Sequence, residues 1–193
     1  MNKLICIVLM LLTMTVVRAD SPYPSTSVYQ LPATLTSATG SKDALDLHHG
    51  HLVLVTMFYG SCPAACPLLI DTLRAVERAL SENERADLRV LMISIDPQRD
   101  TPAALAALAK IRRLDTSRWE LATTDETTVR KIAAVLNIQY RPLPDGGFNH
   151  TSVITLLDRQ GQIVHRSSVL GRADPELTAA IRKQTSAGVA ALH

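Results

Sequence analysis

"HLVLVTMFYGSCPAACPLLIDTL" (51–73) reads as a buried strand, a tight loop holding two cysteines, and the start of a helix. The run 51–59 is apolar, rich in β-branched and aromatic residues and without alternation, as in a strand covered on both faces. From Pro67 the period changes, and Leu68, Leu69, Leu73, Val76 and Leu80 recur at helical spacing. Cys62 and Cys66 therefore sit between the carboxyl end of a strand and a helix start. In open α/β sheets that edge is the usual functional rim.

Outward from this stretch the same alternation continues. "LRVLMISID" (88–96) is a second buried strand, and "DTPAALAALAKIRRL" (100–114) a helix capped by Asp100 or Thr101 with Pro102 in its first turn. "WELAT" (119–123) is a brief strand, and "DETTVRKIAAVLNI" (125–138) a helix with acids in its first turn. A Pro/Gly loop follows, then two strands over 150–167 joined by a turn at 158–161, then a closing helix over 174–185. A short edge strand is expected around 28–35. This order describes an α/β, thioredoxin-like fold, with a mixed central sheet and helices on both faces.

The chain has 193 residues and opens MNKLICIVLMLLTMTVVRAD. A lysine, an apolar run over 4–17 and Val17-Arg18-Ala19 make the pattern of a secretory signal peptide, with cleavage expected after Ala19. The run falls short of the ~20 residues of a membrane-spanning helix. No cysteine stands at the cleavage point to carry a lipid, so an exported, periplasmic protein without a stable membrane anchor is expected. The divisions read as signal peptide 1–19, extended lead-in 20–27, one domain 28–185 and a flexible tail 186–193. A net charge of +2 with 4% aromatic residues leaves neither a basic stripe nor stacking platforms, which argues against nucleic-acid binding.

Cleavage removes Cys6 and leaves Cys62 and Cys66. In an oxidising compartment a pair of cysteines suggests a structural disulfide, yet a bridge over so short a loop removes little chain entropy. Pro67 favours the first helical position, placing Cys66 at or beside the helix cap, where unpaired amides favour thiolate. Two thiolates are soft ligands suited to Cu(I) or zinc. Structural zinc needs four protein ligands, and there is no second cysteine pair. Thiol exchange and metal binding both remain open. A thiol peroxidase would need a low-pKa cysteine beside a Thr and an Arg; Arg74 and Arg99 are available, but no such signature surrounds either cysteine.

Of the histidines, His48, His49 and His51 cluster at the opposite end of the first strand from the cysteines and read as a solvated turn. His165 lies along a strand and His193 is terminal. His150 ends the Pro/Gly loop and opens a strand, where loops of this fold approach the rim.

Three stretches, "FYGSCPAACP" (58–67), "ISIDPQRDTP" (93–102) and "FNHTSVITLLDRQGQIV" (148–164), together resemble the Sco/SenC family of copper-handling thioredoxin-like proteins. The likeness spans about 28–183. It implies a Cu(I)/Cu(II) site made of Cys62, Cys66 and His150. It also implies copper delivery to the binuclear centre of a respiratory oxidase subunit, with Cys62 and Cys66 able to reduce client cysteines and a reductant partner to restore them. Asp96 is a possible neighbour of the site, against its plainer reading as a strand end. The family commonly carries an acidic residue between the cysteines, where this chain has Ala64 and Ala65.

Overall fold

The computed structural model describes residues 22–62 and 65–190. The expected signal peptide and residues 191–193 lie outside them. Among the described residues no helix is long and apolar enough to cross a membrane.

The chain runs β1 (Thr34–Ser37), β2 (Lys42–Ala44), β3 (Leu52–Phe58), α1 (Ala65–Ala79), α2 (Glu82–Ala86), β4 (Leu88–Ser94) and α3 (Pro102–Ile111). It continues with β5 (Trp119–Thr123), α4 (Glu126–Leu136), β6 (Tyr140–Pro142), β7 (Phe148–His150), β8 (Ile154–Leu157), β9 (Ile163–Ser167) and α5 (Pro175–Ala190). Seven strands form one sheet in the order β2-β1-β5-β4-β3-β8-β9. Strands β3, β4 and β5 are parallel, whereas β1, β2, β8 and β9 add antiparallel neighbours. With helices on both faces, this is the thioredoxin-like mixed sheet that the alternation of runs predicts.

All seven residues of β3 are buried, which accounts for its unbroken apolar pattern. Leu52, Leu54, Met57 and Phe58 are fully enclosed, each worth about 1.5–3 kcal/mol of transfer free energy. Helix α1 packs Leu69, Ile70, Leu73 and Val76 inward, but Leu68 is exposed. The expected face thus holds at Leu69, Leu73, Val76 and Leu80, with Ile70 buried in place of Leu68. Helix α3 is capped by Thr101, whose side chain accepts the Ala104 amide, and not by Asp100.

Other elements also depart from the sequence reading. Val28–Gln30 is a 3-10 turn capped by Ser27, and the strand begins later, at Thr34. The outer strand is β2, too short and polar to register as a pattern. The Pro/Gly stretch is a hairpin, β6 paired with β7 as a separate small sheet, with His150 opposite Tyr140. His150 therefore closes β7 and does not open β8. Helix α5 continues to Ala190, into the stretch expected to be a tail.

Candidate metal centre

Cys62 lies in the loop leaving β3, and Cys66 in the first turn of α1. Cys66 is buried and Cys62 half-buried, and no disulfide joins them. The two sulfurs are hydrogen-bonded neighbours. The ligand atoms of Cys62, Cys66 and His150 all lie within 4.8 Å of one another, and this is the one such group of potential metal ligands among the described residues. A loop, a helix start and a hairpin separated by about 85 residues in sequence meet at one point.

The imidazole is prepared for ligation. Its Nδ1 lies 3.3 Å from the Thr151 carbonyl, which places the proton on Nδ1 and leaves the lone pair on Nε2. Nε2 is buried without a hydrogen-bond partner among the described residues. An unpartnered buried nitrogen costs free energy, and a metal between the sulfurs and His150 would satisfy it. Burial also lowers the His150 pKa, with the Thr151 hydrogen bond pulling the other way, so the ring is neutral at neutral pH.

Cys66 corrects the expectation of a thiolate at the helix start. Burial pushes the Cys66 thiol well above its usual range, and the nearby Cys62 and Asp100 add to the effect. Desolvation outweighs the helix dipole here, and the thiol donates to the Tyr59 carbonyl at 3.3 Å. A metal ion would have to displace this proton.

The walls were less legible in the sequence. Tyr59 is buried and packs edge-on against Phe148, with centroids 5.3 Å apart, and against His150 at 5.8 Å. Burial raises its pKa, and a hydrogen bond to Cys62 raises it further. Arg99 reaches from the loop after β4 to donate to the Gly146 carbonyl in the hairpin turn, and its guanidinium stands 5.9 Å from the Phe148 ring. Together Tyr59, Cys62, Arg99, Phe148 and His150 line a cleft of about 700 Å³. The aromatic that leads the cysteine motif was the available signal for Tyr59; Arg99 lies within the 93–102 motif, but nothing there marked its reach to the hairpin.

Asp96 is not among the residues lining the cleft itself. It is buried, pairs with Arg99, and lines an adjoining cavity of about 660 Å³ that shares Arg99, Gly146 and Phe148 with the cleft. Asp100, read as a cap, is turned inward instead. Its Oδ2 accepts the Gly60 amide at 2.8 Å and the Ser94 hydroxyl at 2.5 Å. His51 pairs with Asp87 at 3.3 Å and His49 packs edge-on to Tyr23, whereas His48 has a buried, unpartnered Nε2, so the cluster is not wholly the solvated turn expected from the sequence. His165 lies 3.9 Å from Asp174.

A family model described as SCO1/SenC matches residues 23–186. The human protein named SCO1 homolog, mitochondrial, is 29% identical over 139 residues, covering 69% of this chain and 45% of that protein. An SCO2-like protein of Rickettsia typhi is 26% identical over 121 residues, covering 60% and 58%. The chain spans about half the length of these curated relatives. Among solved structures, Bradyrhizobium japonicum ScoI with copper bound is 26% identical with a TM-score of 0.67, over 80% of this chain and 98% of that one. Arabidopsis thaliana ScoI with copper bound shares the fold, at 20% identity and a TM-score of 0.69, over 79% and 98%.

Proposed function

Since this chain belongs to the SCO1/SenC family, we propose that it is an exported copper metallochaperone that carries copper on Cys62, Cys66 and His150. The observation that carries this reading is that a ring nitrogen of His150 and the sulfurs of Cys62 and Cys66 lie within 4.8 Å of one another, while the buried Nε2 of that ring has no hydrogen-bond partner among the described residues. Two thiolates with one imidazole match the soft-to-borderline preference of Cu(I) and tolerate Cu(II). Three protein ligands also leave copper open to a client's own donors. The cargo is copper, and the client is a copper-containing protein, in the first instance the subunit bearing the binuclear centre of a respiratory oxidase. A structure of BsSco describes that protein as a member of the Sco family of cytochrome c oxidase assembly proteins, which supports this choice of client. Export rests on the expected signal peptide at 1–19.

The roles divide by burial. Cys62 lines the cleft and would meet the client first, whereas Cys66 stands behind it. Asp96 acts at one remove, by holding Arg99. The same arrangement favours a second reading, thiol–disulfide reduction of the client. The Cys62 thiolate would attack a client disulfide sulfur and release one client thiol. Cys66 would then displace the second, leaving a Cys62–Cys66 disulfide for a reductant partner to reduce.

Titration of the anaerobically reduced protein with Cu(I) against a competing chelator tests the first reading. One equivalent should bind, Cys62→Ser or Cys66→Ser should abolish tight binding, and His150→Ala should weaken it at least about tenfold. Copper affinity unchanged in His150→Ala would remove the imidazole from the site and leave thiol exchange as the better account.

A further inference from the structure

The five residues Asp96–Asp100 reach both halves of the site. From one end, Asp100 is 4% exposed and its Oδ2 accepts the Gly60 amide and the Ser94 hydroxyl. Gly60 stands two residues before Cys62. A Cβ at Gly60 would lie 2.6 Å from Asp100 Oδ1, so the loop comes this close because the residue is glycine. From the other end, Arg99 is held by Asp96 and donates to Gly146 in the turn of the hairpin that ends at His150. The segment itself is tied down: the amides of Arg99 and Asp100 both donate to the Asp96 carbonyl, at 3.2 and 2.9 Å.

We propose that this segment is the positioning element of the site, with Asp100 fixing the thiol loop and Arg99 fixing the imidazole hairpin, so that one rigid turn sets the distance between sulfur and nitrogen. The inference rests on the metal-site reading above, and it extends that reading to residues that touch no metal. Asp100 acts as a hydrogen-bond acceptor. Asparagine, with its carbonyl oxygen in the place of Oδ2, can take both donors; alanine can take neither.

The test has a copper-free arm and a copper arm. By hydrogen exchange on the reduced apoprotein, Asp100→Ala should speed exchange of the Gly60 amide at least about tenfold, and Asp100→Asn should restore protection. In Cu(I) competition, Asp100→Ala should lower affinity by about 10- to 100-fold, with Asp100→Asn near wild type. Arg99→Ala should weaken binding in the wild-type background but add nothing to His150→Ala, whereas the Asp100→Ala loss should persist there. Should Asp100→Ala not fold, Gly60→Ala opens the same contact from the other side and should give the same losses. A Gly60 amide equally protected in Asp100→Ala, or Arg99→Ala and His150→Ala losses that simply add, overturns the proposal. If the wild-type protein binds no copper, the metal-site reading fails, while the exchange arm still decides whether Asp100 holds the loop.

Discussion

Asp96 and Asp100 show how far a residue's role depends on partners distant in sequence. Both stand where a strand hands over to a helix, and local pattern offers Asp100 or Thr101 as the cap. In the fold Thr101 takes the cap, and Asp100 turns to an amide forty residues away, at Gly60. No local signal carries that contact. The thiol of Cys66 follows the same logic, since its burial is created by the packed sheet and not by the helix start. His48 offers a direct reading of burial. Desolvation foremost, with Arg89 and His51 adding to it, lowers its pKa from 6.5 to about 4. Between those values the unfolded chain binds a proton that the folded protein declines, so this contribution is complete above pH 6.5 and is lost as pH falls toward 4. Denaturant unfolding of wild type and His48→Gln over this range should show a shallower acid loss in the variant. Parallel profiles would mean that His48 is solvated in the fold.

At the scale of elements, the long apolar runs declared themselves and the short polar elements did not. β3 and β4 are buried on both faces, so an unbroken hydrophobic run is all they need to show. β2 is a three-residue edge strand with no buried residue, and α2 is a single capped turn on the surface. The β6–β7 hairpin looked like a loop because Pro142, Pro144, Gly146 and Gly147 crowd its turn. Its pairing is supported from outside, by Tyr59 against Phe148 and Arg99 on Gly146. The β8–β9 turn, by contrast, was legible as D-x-x-G, and the structure adds what it holds. Gly161 has φ +76°, its carbonyl accepts the Val28 amide at 2.9 Å, and a Cβ there would lie 2.6 Å from Ser27 Oγ. Gly161→Ala should therefore both strain the turn and push off the N-terminal segment, at a cost of about 1–3 kcal/mol. The melting temperature should fall by roughly 3–10 °C, and an unchanged value would show that the segment does not need this turn.

For the whole molecule, the thioredoxin-like sheet was legible in the alternation of strand and helix runs, and the convergence of Cys62, Cys66 and His150 in the resemblance that three motifs carry. What joins those motifs was not. The distance between the thiol loop and the hairpin is set by Asp100, Arg99 and Tyr59 through contacts that span the domain. A sequence records the donors of such a site more readily than the frame that brings them within 4.8 Å. Copper on these three residues is the central claim, and X-ray absorption at the copper edge of the anaerobically Cu(I)-loaded protein tests it most directly. The account predicts a first shell of two sulfurs and one imidazole nitrogen, with the nitrogen lost in His150→Ala. A wild-type shell of sulfur alone, or one unchanged by that substitution, would contradict it.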